Sequence, residues 1–276
     1  MLKKILFLTL LFLFASTSLF VLVVVANSKV RHGAYHVPSA IGVSDIVLVP
    51  DNYTQIQWAI NEASDGDTIY VKAGTYFESL TVNKSISLIG ESPDKTIIDG
   101  KGKGTLIYVT ADNVLISGFT LQNGSTGIWL SKADNSVVQW NNVINNDYGI
   151  KIEDSRNSVL TENIVGDSEW FGIVLENSGN STLRNNQLFG NRYNLQVRGS
   201  SLDDFFNEID TSNIVNDMPI YYLKNRNNMV IDSSVFPEIG YLVLVNSTNI
   251  HVRDLNLMHN GQGIFFAFAS NSAINQ

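Results

Sequence analysis

Two glutamates and two basic residues form the set of side chains in this sequence that is best suited to chemistry. Lys151 and Glu153 lie two positions apart, and Glu176 and then Arg198 follow Glu153 at intervals of about 22 residues. Two carboxylates about 5 Å apart would raise the pKa of one of them, which gives an acid and a base. That separation is also typical of retaining glycosidases. The alternative, which we favour, is an exposed ladder of ion pairs.

Aromatic side chains extend this set. Trp129 precedes Lys151 by the same interval. Aromatic faces suit the apolar faces of sugars, and cations suit uronates. The predicted ligand-binding face consists of Trp129, Lys151, Glu153, Glu176, Arg198 and Tyr221, and no residue is assigned a catalytic role. A second aromatic column, formed by Tyr148, Phe171 and Tyr193, is predicted to pack as a stack at a turn.

Residues that could hold a metal are few. His32, His36, His251 and His259, with three internal methionines, are a small set for copper. Five acidic residues cluster in one stretch: Asp203, Asp204, Glu208, Asp210 and Asp217. Oxygen ligands suit Ca²⁺, but their spacing fits no calcium loop, and a solvated acidic bulge is the better interpretation. We predict neither a metal nor a cofactor.

Composition excludes several classes of protein. The 276 residues include no cysteine, which rules out disulfides, a thiol nucleophile and iron–sulfur clusters. A net charge of -8 argues against a nucleic-acid partner. Asparagine occurs 31 times, and it favours turns over helix interiors.

The N-terminus predicts export from the cytoplasm. Lys3 and Lys4 precede an apolar stretch from Ile5 to Ala26, which fits a signal peptide or, at this length, a membrane anchor. Residues 1–26 are therefore predicted to be one or the other, and residues 27–44 a linker. Five sequons would be available to glycosylation outside the cytoplasm, although a chain so rich in Asn and Ser produces sequons by chance. They begin at Asn52, Asn83, Asn123, Asn180 and Asn246.

A period of about 22 residues organises the remainder of the chain. Repeats begin at residues 113, 135, 157, 180, 202, 227, 249 and 271. Within each repeat, apolar columns spaced by two residues indicate short strands with one face inward. The examples are Ile128 with Leu130 and Ile150 with Ile152. This pattern predicts a parallel β-helix in which each coil pairs with its neighbours.

The segment 45–112 is predicted to hold the first coils and a cap. Thr54–Gln57 fits a capping box, and Ile56, Ala59 and Ile60 give a short amphipathic helix over the end of the rod. The last repeat stops six residues after it begins, so we expect the chain to be part of a longer rod. The domain 45–276 is otherwise one solenoid.

With these repeats in view, the chain resembles right-handed parallel β-helix proteins of the pectin-lyase-like superfamily. The segments that carry the resemblance are the repeat 135–152, the stretch 69–78 and the stretch 86–90. The NosD-like group, and the carbohydrate-binding and sugar-hydrolysis group, are the most similar. The resemblance implies an all-β, right-handed parallel β-helix with an N-terminal cap helix. The motifs of pectin methylesterases, polygalacturonases and alginate epimerases are absent from this sequence.

Three functions remain open from the sequence. The first choice is an exported module, secreted or tethered to the surface, that binds carbohydrate or builds the cell envelope without catalysis. The second is a polysaccharide lyase or glycoside hydrolase that uses Glu153, Glu176 and a nearby cation. The third, implied by the NosD resemblance, is a copper-binding accessory protein. The predicted partners are a glycan and, through the N-terminal segment, a membrane. The oligomeric state is left open.

Overall fold

The computed structural model describes residues 45–255, 257 and 263–275. The predicted signal or anchor (1–26) and the predicted linker (27–44) lie outside the described residues. In the part of the chain that is described, no helix is both long and apolar enough to cross a bilayer.

Residues 45–112 form seven strands and one helix. In chain order they are β1 (Ile46–Val49), α1 (Ile56–Glu62), β2 (Thr68–Val71), β3 (Gly74–Tyr76), β4 (Leu80–Val82), β5 (Ser87–Gly90), β6 (Thr96–Asp99) and β7 (Thr105–Val109).

Residues 113–217 form the regular coils, and the last of these coils contains a 3₁₀ helix at Leu202–Phe205. The strands are β8 (Leu115–Ser117), β9 (Thr120–Gln122), β10 (Thr126–Ser131), β11 (Val137–Gln139), β12 (Asn142–Ile144), β13 (Tyr148–Glu153), β14 (Val159–Thr161), β15 (Ile164–Gly166), β16 (Phe171–Glu176), β17 (Thr182–Arg184), β18 (Gln187–Phe189), β19 (Tyr193–Arg198), β20 (Glu208–Ile209) and β21 (Ile214–Val215).

The C-terminal part adds six strands. They are β22 (Met218–Lys224), β23 (Asn227–Ile231), β24 (Tyr241–Val245), β25 (Thr248–Arg253), β26 (Ile264–Ala267) and β27 (Ala273–Asn275).

Each regular coil contributes one strand to each of three sheets, and strands of successive coils pair in parallel. Sheet 1 has the order β1-β2-β5-β8-β11-β14-β17-β20, sheet 2 the order β26-β24-β22-β21-β18-β15-β12-β9-β6-β3, and sheet 3 the order β19-β16-β13-β10-β7-β4. A separate three-stranded sheet, β23-β25-β27, makes sheet 4. This arrangement confirms the predicted parallel β-helix and the length of its repeat.

The predicted apolar columns stack in register through the regular coils. Ile128 pairs with Ile150, and Leu130 pairs with Ile152. These side chains are fully buried. Burial of apolar area contributes about 25 cal/mol per Å², so this column stabilises the rod.

A ladder of buried asparagines runs along the bend between sheets 1 and 2. Asn141, Asn163, Asn186 and Asn213 are each at most 1% exposed. The Asn163 Oδ1 accepts hydrogen bonds from the backbone N–H and the Nδ2 of Asn141, both at 3.2 Å. Its Nδ2 donates to the Val138 carbonyl at 2.8 Å and to the Asn186 Oδ1 at 3.0 Å. The ladder therefore satisfies backbone groups that the bend takes out of the sheets.

The N-terminal helix is capped differently from the prediction. No side-chain bond is made by its N-cap residue, Gln55. The Glu78 carboxylate, from the next coil, instead accepts hydrogen bonds from the N–H groups of Ile56 and Gln57, each at 3.0 Å. The predicted capping box is therefore wrong, because a carboxylate that is distant in sequence occupies the place of a local cap. The helix buries Ile56 against the core, and its role as a cap on the rod stays a prediction.

The regular stacking ends at a hairpin that the repeat pattern does not predict. Asn216 and Asp217 both have positive φ, and they join β21 to an antiparallel β22. A two-residue loop with two positive φ values is the usual connection of a tight hairpin. Sheet 3 ends at β19, and β22 extends sheet 2 instead.

The hairpin changes the register of the next coil by one residue. Tyr221, rather than Ile220, pairs with Leu242, and Ile231, rather than Val230, pairs with Val252. The predicted columns are wrong at these positions, since a slip of one residue exchanges the two faces of a strand. Ile231 is accordingly buried, whereas Val230 is 44% exposed.

Sheet 2 separates two hydrophobic cores in the C-terminal part. Tyr241 and Val243 on β24 face the main core, while Leu242 and Leu244 face a second core shared with sheet 4. All five residues of β24 are buried as a result.

Replacing Asn163 with alanine is expected to destabilise the protein by about 3 kcal/mol, since buried backbone groups lose their partners. The loss should appear as a lower urea midpoint with an unchanged m-value. Gln139→Ala, on a partly exposed neighbour, is the matched control and should change the free energy of unfolding by less than about 0.5 kcal/mol. Equal effects of the two substitutions would contradict a structural role for the ladder.

Asp232 should make the C-terminal part sensitive to acid. Hydrogen bonds from the Ser234 hydroxyl and the Arg253 guanidinium lower its pKa to about 2. An unfolded aspartate titrates near about 3.9, so its stabilising contribution is complete above that pH and is lost as the pH falls towards about 2. Asp232→Asn should therefore lower Tm at pH 7, and the difference from the wild type should close between about pH 4 and pH 2. A difference independent of pH would disprove this assignment.

Candidate functional site

Five of the six predicted ligand-binding residues meet in two adjacent rows on the outer face of sheet 3. Trp129 pairs with Lys151 in one row. Glu153, Glu176 and Arg198 follow one another in the next row, on β13, β16 and β19. Because the strands are parallel and in register, each residue lies one strand spacing, about 4.8 Å, from its neighbour in the row. These five side chains are called the sheet-3 patch below.

Lys151 lies at the centre of the patch. Its Nζ is 3.0 Å from the Glu153 Oε1 and 3.7 Å from the Glu176 Oε2. It also lies 4.7 Å from the centroid of the Trp129 ring, within the range of a cation–π contact. The cation therefore offsets the repulsion between the two carboxylates on which the acid–base hypothesis rests.

The edges of the patch complete the network. The Trp129 indole Nε1 donates to the Glu153 Oε2 at 3.1 Å. Arg198 donates through a terminal guanidinium nitrogen to the Glu176 Oε2 at 2.6 Å. Two carboxylates and two cations sum to zero formal charge, and they hold one another in fixed positions. The arrangement offers both donors and acceptors at an exposed surface, which suits recognition of hydroxyl groups.

Tyr221 does not belong to the patch. It lies on β22 in sheet 2, and its ring makes an edge-to-face contact with Phe236 at 5.1 Å as part of the second core. The prediction that placed it beside the other five is wrong, because the hairpin at Asn216 moves β22 away from sheet 3.

Sequence reasoning missed one aromatic neighbour of the patch and the burial of two groups in its outward row. Tyr108 on β7 pairs with Trp129, and their ring centroids are 5.0 Å apart. It lies before the first aligned repeat, and its only signal is its place in the apolar stretch 106–109. Val174 shares the outward row with Lys151 but is 1% exposed, so the patch has an apolar floor. Next to it, the Gln196 Oε1 is buried and has no hydrogen-bond partner among the described residues.

The second aromatic column flanks the patch on the same strands. The Tyr148 and Phe171 rings stack at 5.9 Å, and the Phe171 and Tyr193 rings lie 5.1 Å apart. Arg192 covers the half-exposed Trp170 ring at 4.5 Å. The stack agrees with the predicted packing, and all three column members keep part of their surface exposed.

The acidic residues of the predicted bulge do not form one cluster, because their carboxylates bind different neighbours. Asp204 is buried and accepts hydrogen bonds from the backbone of Ser200 and Ser201. Burial alone would raise the pKa of this carboxyl, but these bonds and the Arg156 guanidinium outweigh burial and lower it. Glu208 pairs instead with Lys224.

Within the described residues, no three His, Asp or Glu side chains converge as a metal site would require. Of the histidines considered for copper, His32, His36 and His259 lie outside the described residues. His251 is exposed, with its Nε2 3.2 Å from the Asn249 Oδ1.

A family comparison matches most of the rod's regular coils. Residues 65–203 match the family model described as right handed beta helix region. This match confirms the predicted fold and its right-handed sense. The resemblance to the pectin-lyase-like superfamily holds at the level of fold, and the NosD-like assignment stays a prediction.

One curated relative and two solved structures illustrate what the chain is similar to. Over 97 residues, 34% of this chain, it is 36% identical to a cell surface glycoprotein of Methanothermus fervidus. The chain spans 16% of that relative's length.

Among solved structures, the ORF18 protein of Geobacillus virus E2 is 16% identical with a TM-score of 0.51, covering 82% of this chain and 59% of that one. Pectin methylesterase PemA from Erwinia chrysanthemi is 13% identical with a TM-score of 0.49, covering 86% of this chain and 92% of that one. The first likeness shows the fold alone, and the second supports no conclusion about this chain.

Lys151 should contribute more stability than Arg198, although both pair with Glu176. The Lys151 side chain is 19% exposed and has two carboxylate partners, whereas Arg198 is 47% exposed and has one. Lys151→Met is expected to cost about 1–2 kcal/mol in urea unfolding, and Arg198→Met less than about 1 kcal/mol. A larger loss from Arg198→Met would show that Lys151 is not the centre of the network.

Proposed function

This chain belongs to the right-handed beta helix family, and we propose that it is an exported cell-surface module that binds a glycan without cleaving it. The observation that carries the proposal is the sheet-3 patch, in which aromatic and charged side chains from successive coils share one exposed face. A fold of this kind hosts many activities, so function must be inferred from the side chains of the site and not from the family.

Two observations support a location at the cell surface. Residues 1–26 have the charge and length of an export signal or membrane anchor. The curated relative that matches 34% of the chain is a cell surface glycoprotein. Whether the N-terminal segment is cleaved or retained decides between a secreted and a tethered protein.

The chemistry of the patch suits a sugar. Trp129 and Tyr108 offer ring surface to the C–H faces of a pyranose. Glu153 and Glu176 accept hydrogen bonds from hydroxyl groups, and Lys151 and Arg198 donate them. Because the side chains already hold one another in place, little conformational entropy would be lost on binding.

The same contacts favour binding over catalysis. Glu153 is engaged by Trp129 and Lys151, and Glu176 by Lys151 and Arg198. A catalytic carboxylate must reach the reacting atoms of the substrate, and these two carboxylates are already held by neighbouring side chains. A lyase or hydrolase that uses these glutamates remains the alternative that the experiment below must exclude.

The test incubates the full chain with a panel of uronate and neutral polysaccharides and follows co-elution and polymer length by size exclusion. We expect co-elution without shortening. Trp129→Ala should weaken the apparent affinity about tenfold, because the loss of an aromatic contact costs about 1.4 kcal/mol. Trp58→Ala is the matched control, since Trp58 is an exposed tryptophan on α1, outside sheet 3, and should leave binding unchanged.

Two other outcomes would reject the proposal. Shortening of a polymer that is abolished by Glu153→Gln or Glu176→Gln would make the protein an enzyme. Equal weakening by Trp129→Ala and Trp58→Ala, or no co-elution with any polymer, would remove the patch as a glycan site.

A further inference from the structure

We infer that Asn83 is an N-glycosylation site and that it is the sequon modified in the folded chain. Five sequons have the sequence that oligosaccharyltransferases recognise, an Asn followed two residues later by Ser or Thr. The structure separates one of them from the other four. The inference rests on the proposed location outside the cytoplasm, where such enzymes meet their substrates.

Asn83 is exposed in the loop between β4 and β5. Within the described part of the chain, no hydrogen bond engages its side chain, so the Nδ2 is available. The loop that carries it is nonetheless held in place. The Lys84 Nζ donates to the carbonyls of Asn61 and Ala63, each at 2.6 Å, and the backbone N–H of Ser85 donates to Asp65. Asn83 and Ser85 of the same sequon thus lie in one loop that is anchored through Lys84 and Ser85.

The exposed sequons at Asn180 and Asn246 have their amides in use. The Asn180 Nδ2 donates to the Asn157 Oδ1 at 2.6 Å, and the Asn246 Nδ2 donates to the Asn225 Oδ1 at 2.7 Å. Both residues have positive φ, which asparagine tolerates well. Modification there would compete with a stacked amide contact between adjacent coils.

The remaining two sequons are only partly exposed. The Asn123 Nδ2 donates to the Asp99 carboxylate at 3.0 Å. The Asn52 Oδ1 accepts a hydrogen bond from the N–H of Leu48 at 2.7 Å, within a tight turn. A folded chain therefore offers neither amide freely to an enzyme.

The modification is a glycosyl transfer with two external participants. The donor is an oligosaccharide linked to a lipid through pyrophosphate, and the catalyst is an oligosaccharyltransferase. The Asn83 Nδ2 forms a bond to C1 of the first sugar, while the bond from C1 to the pyrophosphate oxygen breaks and its electron pair stays on that oxygen. One Nδ2 proton passes to a base of the enzyme. No oxidant or reductant is required.

A glycan at Asn83 would lie beside one end of the sheet-3 patch. β4, which precedes Asn83, lies two strands from Trp129 on β10, about 10 Å at about 4.8 Å per strand. It lies three strands from Lys151 and Glu153 on β13. Asn180, by contrast, follows Glu176 of the patch by four residues.

The test exposes the purified full chain to an oligosaccharyltransferase and a lipid-pyrophosphate oligosaccharide, both folded and after denaturation. Peptide mass mapping then measures occupancy at each sequon. We expect the folded chain to be modified mainly at Asn83 and the denatured chain at several sequons. Asn83→Gln and Ser85→Ala should each abolish most of the mass gain of the folded chain, Ser85→Thr should keep it, and Asn180→Gln should leave it unchanged.

Several outcomes would overturn the inference. The inference fails if the folded chain is modified first at another sequon. It also fails if the folded chain stays unmodified under conditions that modify the denatured chain. Because the reaction is carried out with purified components, it tests the site independently of glycan binding by the patch. Peptide mapping of the protein from its native source then tests the location, and an unmodified Asn83 there, after success in vitro, would count against export and not against the geometry.

Discussion

The structure depends on keeping buried backbone groups hydrogen-bonded where each coil bends from one sheet to the next. A strand satisfies its backbone through its neighbours, but a bend does not, and the bends here are buried. The asparagine ladder solves this problem, since each amide bonds both to the backbone and to the amide of the next coil. The ladder joins four successive coils, from Asn141 to Asn213, at the bend between sheets 1 and 2.

That constraint explains which irregularities the rod accepts. Successive ladder residues are 22, 23 and 27 positions apart, yet the amides remain in contact. The last interval contains the 3₁₀ helix at Leu202–Phe205 and the turn near Asp210, and the Asn213 Nδ2 donates to the Asp210 carbonyl within that turn. Of the 23 described non-glycine residues with positive φ, 14 are asparagine, so turns and ladders together account for the unusual composition.

The same register creates the candidate site. Parallel strands in register bring residues from different coils into rows, so that charges that are distant in sequence become neighbours. Once in rows, the side chains neutralise one another: Lys151 lies between the two glutamates, and Trp129 closes one end. A surface built in this way presents two carboxylates and two cations whose formal charges sum to zero, and the proposed binding of a glycan rests on it.

The sequence by itself determined the repeating part of the protein. Regular repeats with apolar positions spaced by two admit few folds other than a solenoid, and they placed Trp129, Lys151, Glu153, Glu176 and Arg198 on one face. Tertiary structure alone decided how the charges pair, because side-chain contacts across coils depend on rotamers that no periodicity encodes. It also decided the position of Tyr221: a two-residue hairpin reverses the chain, and β22 then pairs with β24 one residue out of the predicted register. The two residues Asn216 and Asp217 form this hairpin, and a repeat pattern of about 22 residues does not detect so short a signal.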